Sequence, residues 1–335
     1  MAGTRMLSTI DSHTAGHPTR VITGGLPPLE GHTAAEKCDW FEQNLDDVRL
    51  LLLHEPRGHA AMVGAVLTHS EIADFGAFFL GSYNYLPMCG HATIGLAATL
   101  DHQGLVSPDD QGRAGFSLEV PAGIVDVSLL YEGNRLVSTS FANVPSFVAA
   151  KDIPISTLHT DLSCDIAYGG NWYALVDADA AGVDLAPAGV TDAMTIGARI
   201  KSEINGLIDR NLIPDTDGHI HSVLFYRTSR EAGVLVSRQL VVLASNKFDR
   251  SPCGTGTSAR LAQLIERGQI APGERIRARN ILDVDFTALA HPENETSDDA
   301  LSCYRPRIEG IAHITGQHTF ICTGDDPLPH GFLCR

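Results

Sequence analysis

A cysteine motif that occurs twice constrains the fold of this chain more than any other feature of its sequence. The first copy is Pro87-Met-Cys89-Gly-His-Ala-Thr-Ile-Gly95, and the second is Asp249-Arg-Ser-Pro-Cys253-Gly-Thr-Gly-Thr-Ser-Ala-Arg260. When the two cysteines are superimposed, the Cys-Gly pairs coincide, and helix formers with apolar periodicity follow in both copies. The chain therefore contains a diverged repeat, and each cysteine is predicted to stand at the start of a helix.

The start of a helix is a favourable place for a reactive thiol. Unpaired backbone N–H groups and the helix dipole attract negative charge there, so we expect a lowered thiol pKa and a cradle for a carboxylate. If two such helix starts faced each other, Cys89 and Cys253 could remove a proton from one face of an α-carbon and supply one to the other face. This chemistry needs no cofactor. A buried structural role is the alternative for a single cysteine, but the repeated context favours catalysis.

Further motifs accompany the two cysteines along the chain. They are Ile10-Asp-Ser-His13-Thr, Pro18-Thr-Arg20-Val, Glu55-Pro-Arg-Gly-His59, and Ile314-Thr-Gly316 followed by Asp325-Asp-Pro-Leu. Together they make the chain resemble the proline racemase family nearly end to end, a family that includes hydroxyproline 2-epimerases and trans-3-hydroxyproline dehydratases. The resemblance implies an α/β (α+β) fold like that of diaminopimelate epimerase, with two pseudo-symmetric β-rich domains, each wrapped around a central helix. Residues 1–140 with about 310–335 would form the first domain, and residues 141–309 the second.

The resemblance also assigns residues to the substrate site, one position at a time. Gly90, His91, Gly254 and Thr255 would surround the substrate carboxylate. His91 and Asp249 would lie near the ring nitrogen of the substrate. For Asp249, an ordinary capping role before the helix is the alternative.

The width of the substrate pocket is inferred from two positions. Proline racemases have phenylalanine where this chain has Val63 and Leu243, so we expect a wider pocket that suits a hydroxylated ring. His221 or Ser222, on a predicted strand, could hydrogen-bond a 4-hydroxyl group, and Val223 beside them is a further candidate for substrate contact.

The reaction is inferred from the pair of cysteines. A dehydratase needs one thiol, and trans-3-hydroxyproline dehydratases typically have threonine at the position of Cys253. We therefore expect an isomerase, a 4-hydroxyproline 2-epimerase that converts trans-4-hydroxy-L-proline to cis-4-hydroxy-D-proline. Proline racemase and trans-3-hydroxy-L-proline dehydratase remain alternatives, since residues 280–289 depart from the family pattern and leave the substrate less constrained than the fold.

Three functions outside this family also fit parts of the sequence. The segment Gly254-Thr-Gly256-Thr-Ser-Ala259 matches the loose dinucleotide fingerprint G-x-G-x-x-A, but residues 246–252 separate it from the preceding predicted strand. A non-catalytic amino-acid-binding protein has no use for two thiols. A Cys/His hydrolase built on Cys89 would leave the second cysteine unexplained.

Composition excludes further classes of function. The 335 residues, 44% of them hydrophobic and 19% charged, suffice for two domains with their own cores. The net charge of -16 opposes binding to nucleic acid or anionic lipid. Because we find neither a secretory signal nor an apolar run long enough to span a membrane, we expect a cytoplasmic enzyme whose partner is a small molecule, proline or hydroxyproline. Whether it forms a homodimer stays open.

The remaining cysteines and the histidines give no sign of a metal site. The other five cysteines are scattered without a C-x-x-C pair, so we expect reduced packing or surface residues: Cys38, Cys164, Cys303, Cys322 and Cys334. His13 and His17 lie in a predicted turn, but no third ligand has matching spacing. The family usually has glutamate where this chain has His17, so the role of that acid does not transfer.

Hydrophobic patterns predict the secondary structure around these motifs. Strands are expected at 6–10, 19–23, 48–54, 61–67, 75–80, 137–144, 219–226, 239–244 and 313–320, strand pairs at 114–130 and 164–175, and helices at 34–44 and 192–207. Pro145, Pro154 and Pro187 are expected to mark loops. Glu55 and Arg57 are interpreted as members of a structural ion-pair cluster, and the resemblance implies that the last strand returns to the first domain.

Overall fold

The computed structural model describes residues 4–156, 162–213, 218–243, 247–293 and 301–334. Within these residues the chain forms eighteen strands and four α-helices. In chain order they are β1 (Arg5–Thr14), β2 (His17–Gly24), α1 (Ala34–Leu53), β3 (Val63–Thr68), β4 (Phe75–Gly81), β5 (Tyr85–Leu86), α2 (Gly90–His102), β6 (Arg113–Val120), β7 (Gly123–Glu132), β8 (Arg135–Ala142), β9 (Phe147–Ile155), β10 (Leu162–Tyr168), β11 (Trp172–Asp177), α3 (Val190–Asp209), β12 (Ser222–Glu231), β13 (Val234–Val242), β14 (Phe248–Asp249), α4 (Gly254–Glu266), β15 (Ile276–Arg279), β16 (Asp285–Pro292), β17 (Tyr304–Gly310) and β18 (Ala312–Cys322). None of these helices is long and apolar enough to cross a membrane.

The chain divides into two compact units. Unit 1 consists of Met1–Phe141 and Gly310–Arg335, and unit 2 consists of Ala142–Glu309. In unit 1 the strands pair in the order β18, β1, β2, β3, β4, β6, β7, β8, in which β2 and β3 run parallel, β4 and β6 run parallel, and all other neighbours run antiparallel. The last strand pairs with the first from Arg5↔Cys322 to Thr14↔Ala312, which is the return to the first domain that the resemblance implied.

Unit 2 repeats the connectivity of unit 1. Its strands pair in the order β9, β10, β11, β12, β13, β15, β16, β17, again with the third and fourth strands parallel and the fifth and sixth parallel. The two-residue strands β5 and β14 hold the same place in the two units, directly before α2 and α4. The repeat that was predicted from two cysteine motifs therefore extends over the whole of both units.

Helices α2 and α4 are the buried helices of their units. In α2 every residue from Gly90 to Leu100 is buried, and in α4 every residue from Gly254 to Leu264 is buried. Gly95 permits the close packing of α2, because an added Cβ would lie 2.9 Å from the side chains of Ser12 and Thr19. Most of these buried residues are small or apolar, and the buried polar side chains of Arg260 and Gln263 in α4 donate hydrogen bonds to Thr228 Oγ1 and Asp165 Oδ2.

Several predicted boundaries are wrong. Residues 48–53, predicted as a strand, form the last turns of α1, which begins at a capping box of Thr33 and Glu36. The β1–β2 turn is limited to Ala15-Gly16, so His13 and His17 lie in strands rather than in the turn.

The second unit contains further corrections. Pro154 lies inside β9, one residue before its end, instead of in a loop. Strand β12 begins at Ser222, so His221 precedes the strand on which it was predicted. The predicted strand 239–244 ends at Val242, and Ala244 is outside the described residues.

Candidate active site

The two repeated cysteines stand at the starts of the two buried helices, as predicted. Cys89 is the N-cap of α2, and Cys253 is the N-cap of α4. Each helix has 13 residues. The side chains are almost fully buried, with Cys89 7% and Cys253 4% exposed, and both cysteines are reduced.

The Cys89 thiol lies beside an imidazole. Its sulfur is 3.4 Å from Nδ1 and 3.9 Å from Nε2 of His91, which is 5% exposed. The backbone of His91 is tied to β1, because the hydroxyl group of Thr14 donates to the His91 carbonyl at 2.9 Å. The His91 ring also lies against the ring of His17, with 4.2 Å between the centroids. Thus the β1–β2 hairpin fixes His91 next to Cys89.

The Cys253 thiol has different partners. Its sulfur is 3.4 Å from the hydroxyl oxygen of Tyr173 and 3.7 Å from Oγ1 of Thr255, and it accepts a hydrogen bond from Gly256 N at 3.4 Å. Cys253 has φ +67°, in the left-handed region that few residues other than glycine adopt. Gly256 is required here, because an added Cβ would lie 3.2 Å from the Cys253 sulfur and 2.9 Å from Leu224 Cδ1.

Burial outweighs the helix start in setting the protonation of Cys253. Removal from water and, to a smaller extent, the charge of Asp249 raise the pKa of the Cys253 thiol to about 12. Hydrogen bonds from Tyr173, Gly256 and Thr255 act in the opposite direction but do not offset burial. The predicted lowering of the thiol pKa is therefore wrong for Cys253.

Asp249 organises the turn that leads to Cys253. Its Oδ1 accepts hydrogen bonds from Ser251 N and Ser251 Oγ, both at 2.8 Å, and Ser251 Oγ accepts one from Cys253 N at 3.1 Å. Asp249 is 7% exposed. Asp249 therefore stabilises the turn before α4, a structural role similar to the helix capping that was considered from the sequence. Its contact with the ring nitrogen of a substrate stays a prediction.

The other predicted site residues differ in their surroundings. Gly90 and Gly254 are buried in the first turns of α2 and α4, and Thr255 in the first turn of α4 is 8% exposed. Val63 is buried at the start of β3, and Val223 is fully buried in the apolar core of unit 2. Packing in this core accounts for the burial of Val223 without any contact with a substrate.

Two predicted pocket residues lie at the ends of strands in unit 2. His221 is exposed, whereas Ser222 beside it is 1% exposed. Leu243 is half-buried directly after β13, and its carbonyl accepts a hydrogen bond from Lys201 Nζ at 2.9 Å. Contact of these residues with a substrate stays a prediction.

Two polar residues near Cys253 were missed by the sequence analysis. Tyr173 lies in β11 and places its hydroxyl oxygen 2.6 Å from Thr255 Oγ1. Gln239 in β13 donates through Nε2 to Pro252 O and Thr257 Oγ1, at 2.5 and 2.6 Å, and so holds both sides of the Cys253 turn. A tyrosine in a buried strand needs a partner for its hydroxyl group, and this was the available signal.

Comparison with known proteins identifies relatives along nearly the whole chain. The profile of the proline racemase family matches residues 9–333. A proline racemase from Acetoanaerobium sticklandii is 35% identical over 333 residues, covering 97% of this chain and 98% of that protein. A trans-3-hydroxy-L-proline dehydratase from Bacillus thuringiensis is 34% identical over 336 residues, covering 99% of each. A solved hydroxyproline epimerase from Agrobacterium vitis, with bound trans-4-hydroxy-L-proline, has a TM-score of 0.84 at 29% identity, covering 100% of this chain and 97% of that one.

The class of protein follows from these matches: it is an enzyme, an isomerase with a mixed α/β, strand-rich fold. The chain belongs to the proline racemase family. The predicted family and fold class are confirmed.

Proposed function

We propose that this protein is a cofactor-independent 4-hydroxyproline 2-epimerase that interconverts trans-4-hydroxy-L-proline and cis-4-hydroxy-D-proline. The observation that carries the proposal is a buried cysteine thiol at the N-cap of each of two equivalent buried helices. Inversion next to a carboxylate needs two acid/base groups and hydrogen-bond donors for that carboxylate. Each unit supplies one thiol and one helix start. Units 1 and 2 would then be the two epimerase-like domains of the family.

In the proposed reaction, one cysteine thiolate takes the α-proton. The C–H bond breaks, an S–H bond forms, and the electron pair is delocalised into the carboxylate. The thiol of the other cysteine then protonates the opposite face and becomes the thiolate, so the two cysteines exchange protonation states in each turnover. The proposal requires Cys89 and Cys253 to reach opposite faces of the same α-carbon.

Backbone N–H groups at the two helix starts would stabilise the charge on the carboxylate. The first helical hydrogen bond of α2 runs from Thr93 N to Cys89 O at 2.9 Å, and that of α4 from Thr257 N to Cys253 O at 2.8 Å. The N–H groups of Gly90, His91, Gly254 and Thr255 precede these bonds and lie where a helix offers donors to an anion.

The preference for hydroxyproline rests on two supports. A solved relative that covers the whole chain binds trans-4-hydroxy-L-proline. Valine and leucine at positions 63 and 243 leave more room beside the ring than phenylalanine would. Proline is the alternative substrate, and dehydration of trans-3-hydroxy-L-proline is the alternative reaction. The second cysteine favours inversion over dehydration. We place the enzyme in the cytoplasm, where both thiols would stay reduced.

A substrate screen tests the proposal. Purified protein is incubated with L- and D-proline, trans-4-hydroxy-L-proline, cis-4-hydroxy-D-proline and trans-3-hydroxy-L-proline, and the products are followed by polarimetry and by assay for a dehydration product. We expect the fastest inversion with the two 4-hydroxyprolines. Dehydration of the 3-hydroxy compound without inversion of any other would replace the proposal by its alternative, and binding without inversion would leave only an amino-acid-binding protein.

A further inference from the structure

The hydroxyl group of Tyr173 has no part in the reaction proposed above, yet it lies against one of the two thiols. Tyr173 is 1% exposed, and its hydroxyl oxygen is 3.4 Å from Cys253 Sγ and 2.6 Å from Thr255 Oγ1. The distance from Thr255 Oγ1 to the same sulfur is 3.7 Å. A thiol and two hydroxyl groups therefore form a closed triangle between β11 and the first turn of α4.

Such a triangle can adapt to both protonation states of Cys253. A hydroxyl group donates one hydrogen bond and also accepts. With a thiolate, Tyr173 can donate to the sulfur while Thr255 donates to the tyrosine oxygen. With a thiol, the S–H group can donate to Tyr173 while Tyr173 donates to Thr255. The change between the two patterns needs only rotation of hydroxyl hydrogens.

The tyrosine is suited to remain a donor throughout. Burial raises the pKa of the Tyr173 phenol well above its usual value, and the neighbouring Cys253 raises it further, so the hydroxyl group keeps its proton. Its hydrogen bond lowers the pKa of the Cys253 thiol, against the larger effect of burial. Charged acceptors strengthen such a bond, so the thiolate gains more from it than the thiol does.

The packing fixes Tyr173 relative to α4. The β10–β11 turn lies against the helix so closely that a Cβ added at Gly169 would be 2.3 Å from Thr255 O. Asn143 holds this contact, because its Nδ2 donates to Gly169 O at 2.8 Å and to Ser258 Oγ at 2.9 Å. The close packing of the β10–β11 turn against α4 therefore holds the Tyr173 hydroxyl group near the Cys253 sulfur.

We propose that Tyr173 is a positioning residue that, with Thr255, controls how readily Cys253 gives up and regains its proton. Its role in turnover rests on the proposed function, whereas its effect on the thiol can be measured without substrate. Cys253 would break its S–H bond when it protonates the α-carbon, and the Tyr173 hydroxyl group would then turn to the new thiolate while keeping its own proton.

The test is the pH dependence of thiol alkylation in the substrate-free protein. Iodoacetamide reacts with the thiolate, and tryptic digestion separates the two cysteines, since peptide Ser251–Arg260 contains only Cys253 and peptide Gly58–Arg113 contains only Cys89. In Tyr173→Phe we expect the curve of alkylation rate against pH for Cys253 to move up by about one pH unit, about tenfold slower at a given pH on its rising limb. The curve for Cys89 should not move.

Two further variants separate this role from a packing role. Tyr304→Phe removes a hydroxyl group that donates to Glu266 Oε1 at 2.7 Å, at the far end of α4, and should leave the Cys253 curve unchanged. Fluorotyrosine at position 173 keeps the hydroxyl group and makes it a stronger donor, so it should move the curve to lower pH. This variant also decides the question if Tyr173→Phe does not fold.

The outcomes are distinct. An unmoved Cys253 curve in folded Tyr173→Phe, an equal movement in Tyr304→Phe, or a fluorotyrosine curve that stays or moves to higher pH would overturn the inference. The alkylation assay contains no substrate, so its result does not depend on the proposed function. If the wild-type protein epimerised no hydroxyproline, the proposed function would be overturned, but the effect of Tyr173 on the Cys253 thiol would still be tested by alkylation.

Discussion

Nδ1 of His91 lies 3.4 Å from the sulfur of Cys89. In the second copy of the repeat, the corresponding sulfur of Cys253 has the Tyr173 hydroxyl group at the same distance of 3.4 Å. The Cys89 thiol therefore faces a ring nitrogen, whereas the Cys253 thiol faces a phenol whose pKa is raised well above its usual value by burial. The two halves of the repeat therefore present chemically different partners to their thiols, although the backbone around them follows one plan.

Replacing either cysteine by serine should abolish inversion. A serine hydroxyl group is a far weaker base at neutral pH, so Cys89→Ser and Cys253→Ser should each lower the epimerisation rate by at least about a thousandfold. Each single variant can still exchange the α-proton of one enantiomer with solvent. The exposed Cys334 provides the control, and Cys334→Ser should keep full activity. Inversion at near the wild-type rate in either site variant would remove that cysteine from the mechanism.

The charge of Asp249 should raise the pKa of the Cys253 thiol, whereas the hydrogen bond from Tyr173 should lower it. Asn at position 249 keeps an acceptor for Ser251 but removes the negative charge that raises the thiol pKa. In Asp249→Asn we expect the alkylation curve of Cys253 to move to lower pH, by about half a pH unit or more. The exposed Asp179 is the control, since Asp179→Asn should not move the curve. A movement to higher pH in Asp249→Asn would contradict this account.

The size of the substrate pocket can be tested by adding phenylalanine. A site built to bind a ring hydroxyl loses about 1–3 kcal/mol when that hydrogen bond is not made, so the wild type should prefer trans-4-hydroxy-L-proline over L-proline by about tenfold in kcat/KM. Leu243→Phe, alone or with Val63→Phe, should shift this ratio towards proline. Leu282→Phe, at a leucine that is 48% exposed, should leave it unchanged. A wild-type ratio at or below one would exclude hydroxyproline as the preferred substrate.

Arg57 should matter for stability rather than for catalysis. Its guanidinium forms an ion pair with Asp326 through Nη2 and donates through Nη1 to Leu328 O at 3.1 Å, which ties the turn after α1 to the end of the chain. Arg57→Ala should lower the free energy of unfolding by about 1–3 kcal/mol, measured by urea denaturation. Arg135→Ala, which breaks the exposed Arg135–Glu132 pair, should change it little. Equal effects of the two variants would argue against a structural role of Arg57.

The repeat allowed the starts of helices α2 and α4 to be predicted. The hydrophobic pattern gave the wrong secondary structure where consecutive residues are all apolar. Residues 48–53 were predicted as a strand because a continuous apolar run looks alike in a buried strand and a buried helix. The pair of Asp46 and Arg49, joined at 2.6 Å and three residues apart, was the local sign of a helix.

Strand β9 escaped prediction because it is irregular. Its register with β10 shifts twice, Asp152 has φ +56°, and Pro154 interrupts the alternation of side chains. A proline near the end of a strand costs less than one in its middle, because few ladder hydrogen bonds remain to be lost there.

The partners of the thiols could be predicted only where they are neighbours in sequence. His91 lies two residues after Cys89, and the family resemblance placed it in the site. Tyr173 lies 80 residues before Cys253, and their contact depends on the packing of β11 against α4. No local pattern carries this information. The pKa of Cys253 was mispredicted for the same reason, because its burial is a property of the whole unit.

The most direct test of the central claim is a proton NMR experiment in deuterated water. Purified protein, with no added cofactor, is incubated with trans-4-hydroxy-L-proline, and the α-proton signal is followed together with the signals of the two epimers. We predict loss of the α-proton signal and accumulation of α-deuterated cis-4-hydroxy-D-proline, with neither change in the Cys89→Ser, Cys253→Ser double variant. Retention of the α-proton and of the L-configuration by the wild type would contradict the account.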